Sequence, residues 1–312
     1  MYELLVDYFQ IPEIAHDYIP LFLRSEEIAA IEKMGRALYC PEKLRDLLSD
    51  ITGDPMGLVS EAYSRSVFNK AEDGDDACFQ AAVFYDRLAY FAQYEPELWK
   101  SIPKERRALM DTWYVEKYAS GARGRLEEAL RDNSRLIENA FFFTLDETLK
   151  IIDDLDGDPY MVPCNCKSVA MNCDKPRDVC ILFKKGINSQ WDRGHGKPLT
   201  REEAKDIIRF ANKSGLMQTS EMESAICNCD GCCCYPIRAS RLIGAKGLWP
   251  KKVYDVVWDE KSCVGCGKCA KLCNFGAFRQ DGLNITFDPE ACWSCTICSG
   301  NCPVGAISLE RI

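Results

Sequence analysis

Cys263-Val264-Gly265-Cys266-Gly267-Lys268-Cys269-Ala270-Lys271-Leu272-Cys273 and Cys292-Trp293-Ser294-Cys295-Thr296-Ile297-Cys298-Ser299-Gly300-Asn301-Cys302 write one pattern twice, C-x2-C-x2-C-x3-C, the second copy running into Pro303. Three thiolates at that spacing form an arc that grips three corners of an iron–sulfur cube, and the fourth Cys, beyond the arc's reach, serves the other cube. The repeat extends past the thiols. Asp259 is matched by Asp288, and Gly276-Ala277-Phe278 by Gly305-Ala306-Ile307, always at an offset of 29. A zinc site would not require such a duplication, so two [4Fe–4S] clusters are expected in this tail.

The rest of the chain is long enough, at 312 residues, for two or three compact units. It carries 19 cysteines and no secretory signal at its start, which argues for metal ligation over disulfides and for a reducing cytoplasm. The longest apolar run, near Ala140 to Leu145, is too short to span a membrane. Residues 1–160 hold 18 Lys+Arg against 32 Asp+Glu, whereas residues 161–312 hold 21 against 16. So acidic a front half disfavours nucleic-acid binding. The mildly basic back half would suit an acidic redox partner or simply form a solvated surface.

In the front half Ser25 is read as the cap of a helix through Ile28, Ile31 and Met34. Pro41 opens a second helix with Leu44, Leu47 and Leu48, and Asp54-Pro55 a third through Leu58, Val59, Ala62 and Tyr63. Val67-Phe68-Asn69, a tip at Asp73-Gly74-Asp75 and Cys78 to Val83 then read as a hairpin. Three short helices and a hairpin resemble a winged helix. Its presumptive recognition helix offers only Arg65 against Glu61, so docking to a partner is favoured over DNA binding. Further helices are expected after Pro103, with Leu109, Trp113 and Tyr118 on one face, and through Leu126, Leu130 and Ile137. Cys40 and Cys78 read as buried small hydrophobes. His16 has no partner motif, and His195 reads as an exposed loop histidine near the middle cysteines. Asp153 to Asp158 lacks the alternation of a calcium loop and reads as a solvated turn ended by Pro159.

The middle set holds nine cysteines: Cys164, Cys166, Cys173, Cys180, Cys227, Cys229, Cys232, Cys233 and Cys234. Their spacing matches neither the arc above nor a zinc ribbon. They would serve two four-iron clusters with one spare, or one cluster plus structural thiols, with zinc or redox-active thiols as the alternatives. Cys232 to Cys234 cannot all aim at one metal if the chain there is extended. Between the two cysteine runs a helix is expected, with Thr200 and Glu203 as its capping box, Ala204, Ile207, Ile208 and Ala211 on one face and Gly215 at its end.

The tail resembles the bacterial dicluster ferredoxins. The resemblance implies that Cys263, Cys266, Cys269 and Cys302 hold one [4Fe–4S] cluster and that Cys292, Cys295, Cys298 and Cys273 hold the other. That family usually places proline where this chain has Asn274, a change that removes no ligand. Trp293, inside the second arc, either excludes water and tunes a potential or simply packs. A hairpin turn is expected at Asp281-Gly282. The Pro163-Cys164-Asn165-Cys166 lead and the Cys227-Asn228-Cys229 to Cys232-Cys233-Cys234 close resemble a family of anaerobe iron–sulfur proteins in which a cysteine-rich module precedes a dicluster ferredoxin. In that family a further Cys commonly stands where this chain has Asp230.

The expected fold class is therefore α+β and multidomain. A mainly helical, winged-helix-like docking domain covers 1–160, an irregular Cys-rich iron–sulfur module with one or two further clusters covers 161–250, and a βαβ-repeat dicluster ferredoxin-like domain covers 251–312. No Walker loop, no dinucleotide fingerprint after a strand and no C-x3-C-x2-C arc is present. The leading expectation is an electron-transfer protein, more an electron-transfer subunit than a stand-alone enzyme. It would relay low-potential electrons between a donor and a redox enzyme, within a larger complex and without nucleic acid or membrane insertion. The alternatives are a reductase with the middle cluster as active site and a redox-sensing winged-helix regulator.

Overall fold

The structure, a computed structural model, describes residues 2–73, 76–132, 141–220 and 224–312. Helix and sheet are mixed, as expected for an α+β chain. No helix among the described residues is long and apolar enough to cross a membrane. The chain forms two compact units. One comprises Met1–Tyr114, Ser168–Ala170 and Lys185–Gly196; the other comprises Val115–Lys167, Met171–Lys184 and Lys197–Ile312.

The first unit opens with α1 (Glu3–Phe9) and α2 (Ile19–Phe22), followed by α3 (Ser25–Met34), α4 (Pro41–Leu48) and α5 (Pro55–Ser64). Each of the three expected helices is present, and Asp54 caps α5 by accepting from the Gly57 amide at 3.0 Å. Ser25 lies inside α3 rather than capping it; the Glu27 carboxylate instead reaches back to the Arg24 amide at 2.8 Å. Strands β1 (Phe68–Asp73) and β2 (Asp76–Ala81) pair antiparallel, while the expected tip at Gly74-Asp75 lies outside the described residues. Helices α6 (Phe84–Tyr94), α7 (Pro96–Ser101) and α8 (Lys104–Asp132) follow. On α8 the buried stripe is Met110, Tyr114, Val115, Ala119, Ala122 and Leu126, and Leu109 is 48% exposed. The expected face was thus set one residue early. Ile137 of the expected stretch lies outside the described residues.

Cys40 and Cys78 are not free thiols but a disulfide. The reason is tertiary: Tyr39 and Phe79 exchange two backbone hydrogen bonds (2.9 and 2.8 Å), which brings their neighbours face to face across 38 residues of chain. Arg65 is also committed internally, paired with Glu27 at 2.6 Å and Glu95 at 3.3 Å. Buried Arg87 completes this network by pairing with Glu95 and donating to the Phe22 carbonyl at 2.8 Å. The segment Lys185–Gly196 belongs to this unit through Arg193. That guanidinium is buried, donates to the Phe68 carbonyl at 2.9 Å and lies over the Tyr63 ring. Asn188 pairs with the Lys70 backbone through two 2.8 Å hydrogen bonds. His195 is therefore not a loose loop residue. It stacks on Tyr94 at 3.8 Å and contacts the Ser64 carbonyl at 2.8 Å, and burial lowers its pKa.

The second unit is built on an antiparallel sheet of six strands. In chain order its elements are β3 (Phe141–Phe143), α9 (Leu145–Asp153), β4 (Tyr160–Pro163), α10 (Asn165–Ala170), β5 (Asp178–Leu182), β6 (Lys197–Pro198), α11 (Arg201–Lys213), β7 (Met217–Ser220), β8 (Ala225–Cys229) and α12 (Tyr235–Leu242). Spatial order is β3-β7-β8-β5-β4-β6, so the sheet draws on residues both before and after 160. The expected irregular middle module is corrected: its residues form ordered antiparallel strands, two of which, β5 and β8, pair across an interval that holds β6, α11 and β7. Helix α11 follows its expectation, with Thr200 and Glu203 bonded reciprocally and Ala204, Ile208 and Ala211 buried. The aspartate-rich turn after α9 is held by Arg201, which donates to the carbonyls of Asp153 and Leu155.

The tail adds β9 (Tyr254–Trp258), α13 (Lys268–Leu272), β10 (Phe278–Asp281), β11 (Asn284–Phe287) and β12 (Ile307–Arg311). Strand β9 pairs with β12, and β10 with β11 around Gly282 at φ +58°, the conformation a two-residue hairpin needs. The matched aspartates and alanines tie the halves to each other. The Asp259 amide donates to the Ala306 carbonyl at 2.9 Å, and the Asp288 amide to the Ala277 carbonyl at 2.8 Å.

Candidate metal centres

Cys263, Cys266, Cys269 and Cys302 line one apolar cavity with Trp258, Ile285 and Ile307; Cys273, Cys292, Cys295 and Cys298 line a second with Phe275, Phe278 and Trp293. Each arc contributes three sulfurs, and the fourth comes from the other half of the repeat. The arcs owe their curvature to left-handed residues at equivalent places: Gly265 (φ +66°) and Gly267 (+73°) in the first, Ser294 (+55°) and Thr296 (+63°) in the second. A β-branched residue in that region is strained and persists only where its surroundings hold it. Here the Thr296 hydroxyl donates to the Phe143 carbonyl at 2.9 Å. Glycine is required in the first arc for a steric reason as well, since a Cβ on Gly265 would lie 2.4 Å from the Leu283 carbonyl oxygen. Backbone amides already point at sulfur, Ala277 to Cys273 at 3.2 Å and Ser294 to Cys292 at 3.3 Å.

Residues 262–306 match the family model of the 4Fe-4S dicluster domain. Neither a curated protein nor a solved structure matches the chain. The C-terminal part is thus a ferredoxin-like, iron–sulfur-binding dicluster domain with an electron-transfer role. Its residues fit the cofactor: among the described residues lining each cavity are four thiols and a mainly apolar wall. Burial pushes the Cys295 thiol up to about 12 and raises Cys298 and Cys292 too.

The dicluster domain is joined to the middle sheet by specific contacts. Asn274, at the position where ferredoxins usually carry proline, accepts from Lys175 at 2.6 Å and from the Gly231 amide at 3.4 Å, and donates to the Gly215 carbonyl at 3.0 Å. The Gly231 backbone lies so close that a Cβ there would sit 2.4 Å from the Asn274 carbonyl oxygen. Trp293 packs: it stacks on Phe275 at 5.0 Å with the Arg241 guanidinium over its face.

The nine middle thiols separate into two groups. Six form a ring of sulfur contacts. Cys164 meets Cys166 and Cys180; Cys180 meets Cys227, Cys227 meets Cys229, Cys229 meets Cys234 at 3.4 Å, and Cys234 meets Cys166. Secondary structure explains the convergence. Residues two apart on a strand share a face, so Cys227 and Cys229 of β8 point together, while Cys180 lies on the paired strand β5. Cys164 follows β4 at the N-cap of α10, Cys166 lies in the first turn of α10, and Cys234 caps α12. Neighbouring thiols hydrogen-bonding to Cys164 and Cys229 hold both well below the usual thiol range, with Lys167 helping. Burial alone would lower the Lys167 pKa, but Cys164, Cys180, Cys229 and Asp230 raise it, so a buried ammonium faces an anionic site.

The other three thiols, Cys173, Cys232 and Cys233, gather around the Asp230 carboxylate. The chain turns at 231–233 rather than running extended, so Cys232 and Cys233 aim together and only Cys234 diverges. Burial and the adjacent Asp230 charge push the Cys232 thiol up to about 12. Sequence reasoning singled out neither Asp230 nor Lys167 as a site residue. The one signal available for Asp230 was that it stands where the family the middle module resembles commonly carries a Cys.

Proposed function

We propose that the protein relays single low-potential electrons between a partner and a cluster in the middle sheet, through two [4Fe–4S] clusters in the dicluster domain. In this reading Cys263, Cys266, Cys269 and Cys302 hold an outer cluster, Cys292, Cys295, Cys298 and Cys273 an inner one, and the six-thiol ring a further iron–sulfur centre. When bound, such clusters supply one-electron chemistry; the chain's part is to hold them, exclude water and tune their charge.

One observation carries the proposal. Cys229 and Cys234 of the ring share a continuous buried core with Cys295, Trp293 and Ile297 of the dicluster domain, and Cys227 packs on it. The ring and the inner thiols thus meet in one hydrophobic cluster. At the other end Cys266 is exposed, and Val264 (61% exposed), Val304 (46%) and Leu283 (82%) surround it. An apolar rim around an exposed ligand suits brief docking of a redox enzyme or carrier. The helical first unit is read as a partner-docking element rather than a DNA reader, because Arg65 is spent on Glu27 and Glu95 and is not free for phosphate.

The test is anaerobic purification of the full chain, iron and sulfide counts, and electron paramagnetic resonance after stepwise reduction. About eight irons from the dicluster domain plus those of the ring are expected. Magnetic coupling should link the inner cluster to the ring centre and disappear in Cys227→Ser. A protein without reducible [4Fe–4S] signals would end the proposal.

A further inference from the structure

We infer that Cys173, Cys232, Cys233 and Asp230 form a binding site for a single tetrahedral zinc ion, separate from the six-thiol ring. The four donor atoms lie within 4.8 Å of one another. Cys233 Sγ is 3.8 Å from both Cys173 Sγ and Cys232 Sγ. The carboxylate closes the figure, with Oδ2 at 3.7 Å from Cys173 Sγ and Oδ1 at 3.2 Å from Cys232 Sγ. For metal–sulfur bonds of about 2.3 Å, the edge of a tetrahedron of sulfurs is about 3.8 Å, and a sulfur–oxygen edge is slightly shorter. The thiolates of a cube are attached to different irons and stand further apart. The six-thiol ring links its sulfurs pairwise, and no carboxylate is among its members. Three thiolates and one carboxylate are a donor set that suits zinc.

The surroundings are those of a built site. Asp230 is buried, and its Oδ1 accepts from the amides of Cys232 (2.9 Å) and Cys233 (2.6 Å), which fixes the carboxylate's direction. Asn172 holds the Cys232 carbonyl at 2.9 Å. Lys167 Nζ stands 3.9 Å from the carboxylate and offsets part of the set's negative charge. Cys233 is buried while Cys232 is exposed, so an ion has a way in. The inference does not depend on electron transfer, because its metal and its readout differ from those of the clusters.

The deciding experiment is zinc analysis and zinc K-edge X-ray absorption on the full-length protein, produced with iron and zinc supplied and purified anaerobically. About one zinc per chain is expected, with three sulfurs at about 2.3 Å and one oxygen at about 2.0–2.2 Å. Asp230→Ala should lose zinc to a chelator at least about tenfold faster with iron content unchanged, and Asp230→Cys should keep zinc with a fourth sulfur. Absence of zinc, a shell of four sulfurs in the unaltered protein, or loss of iron rather than zinc in Cys173→Ser would each overturn the inference. Should Asp230→Ala fail to fold, the shell of the unaltered protein still decides.

Discussion

Position for position, the first ligand arc of the tail meets water where the second meets protein. Val264 is 61% exposed, whereas its equivalent Trp293 is 9% exposed beneath Arg241. Gly265 and Gly267 let the β10–β11 turn close over the first arc, while Ser294 and Thr296 adopt the same left-handed backbone and the Thr296 hydroxyl is held by the middle sheet. Asn274 clamps the middle sheet, whereas its equivalent Pro303 opens a turn. The spacing of the cysteines selects the metal; the residues between them select the neighbour. A symmetric motif thereby becomes a directional one, open at one end and sealed at the other.

The sharpest way to break this contrast is to truncate the equivalent pair. Trp293→Ala is expected to destabilise the cluster-loaded protein by about 3–5 kcal/mol, and Val264→Ala by less than about 0.5 kcal/mol. Anaerobic denaturant titration measures both, and similar losses would mean that the two arcs are equally covered. Next in size is Asn274→Pro. Cys273 (φ −65°, ψ 113°) matches Cys302 (φ −73°, ψ 116°), so the backbone accepts proline and the cost isolates the lost side-chain hydrogen bonds, about 2–3 kcal/mol in all. Iron content should hold while the Gly231 region exchanges its amides faster; unchanged exchange would deny Asn274 its clamping role.

A smaller effect is expected from exchanging arc residues. Gly265→Ala forces a Cβ against the Leu283 carbonyl at positive φ and should cost about 1–3 kcal/mol, whereas Ser294→Gly should stay within about 1 kcal/mol because relieved strain offsets lost packing. Equal costs on thermal unfolding would remove the distinction. Last, a chelator should strip the outer cluster faster than the inner by on the order of tenfold, following local opening. Iron release followed by absorbance in Cys266→Ser and Cys295→Ser proteins identifies which cluster leaves first; the reverse order would invert the proposed direction.

Much of this was legible in sequence because local chemistry dictates it. The duplicated arcs, the Thr200–Glu203 capping box, the Pro41 and Asp54-Pro55 helix starts and the Asp281-Gly282 turn all depend on residues a few positions apart. What escaped depends on distant partners. Cys40 and Cys78 join because Tyr39 and Phe79 pair, and no spacing rule reveals that. The middle thiols looked irregular because β8 pairs with β5 across an interval that holds β6, α11 and β7, and only that pairing sorts six sulfurs from three. On α8 the aromatic residues drew attention to a stripe adjacent to the one that is buried, since Trp113 and Tyr118 are only partly covered.

Arg193 has a consequence for how the chain is made. It anchors a segment that closes the first unit around Tyr63 and Phe68, yet it is translated 130 and 125 residues after them. The ribosome must therefore release residue 196 before that unit can be completed, by which point Cys164, Cys166, Cys173 and Cys180 have already emerged. A nascent chain stalled at residue 160 should show the first unit still open to protease, and the unit should close only once the later segment has been supplied.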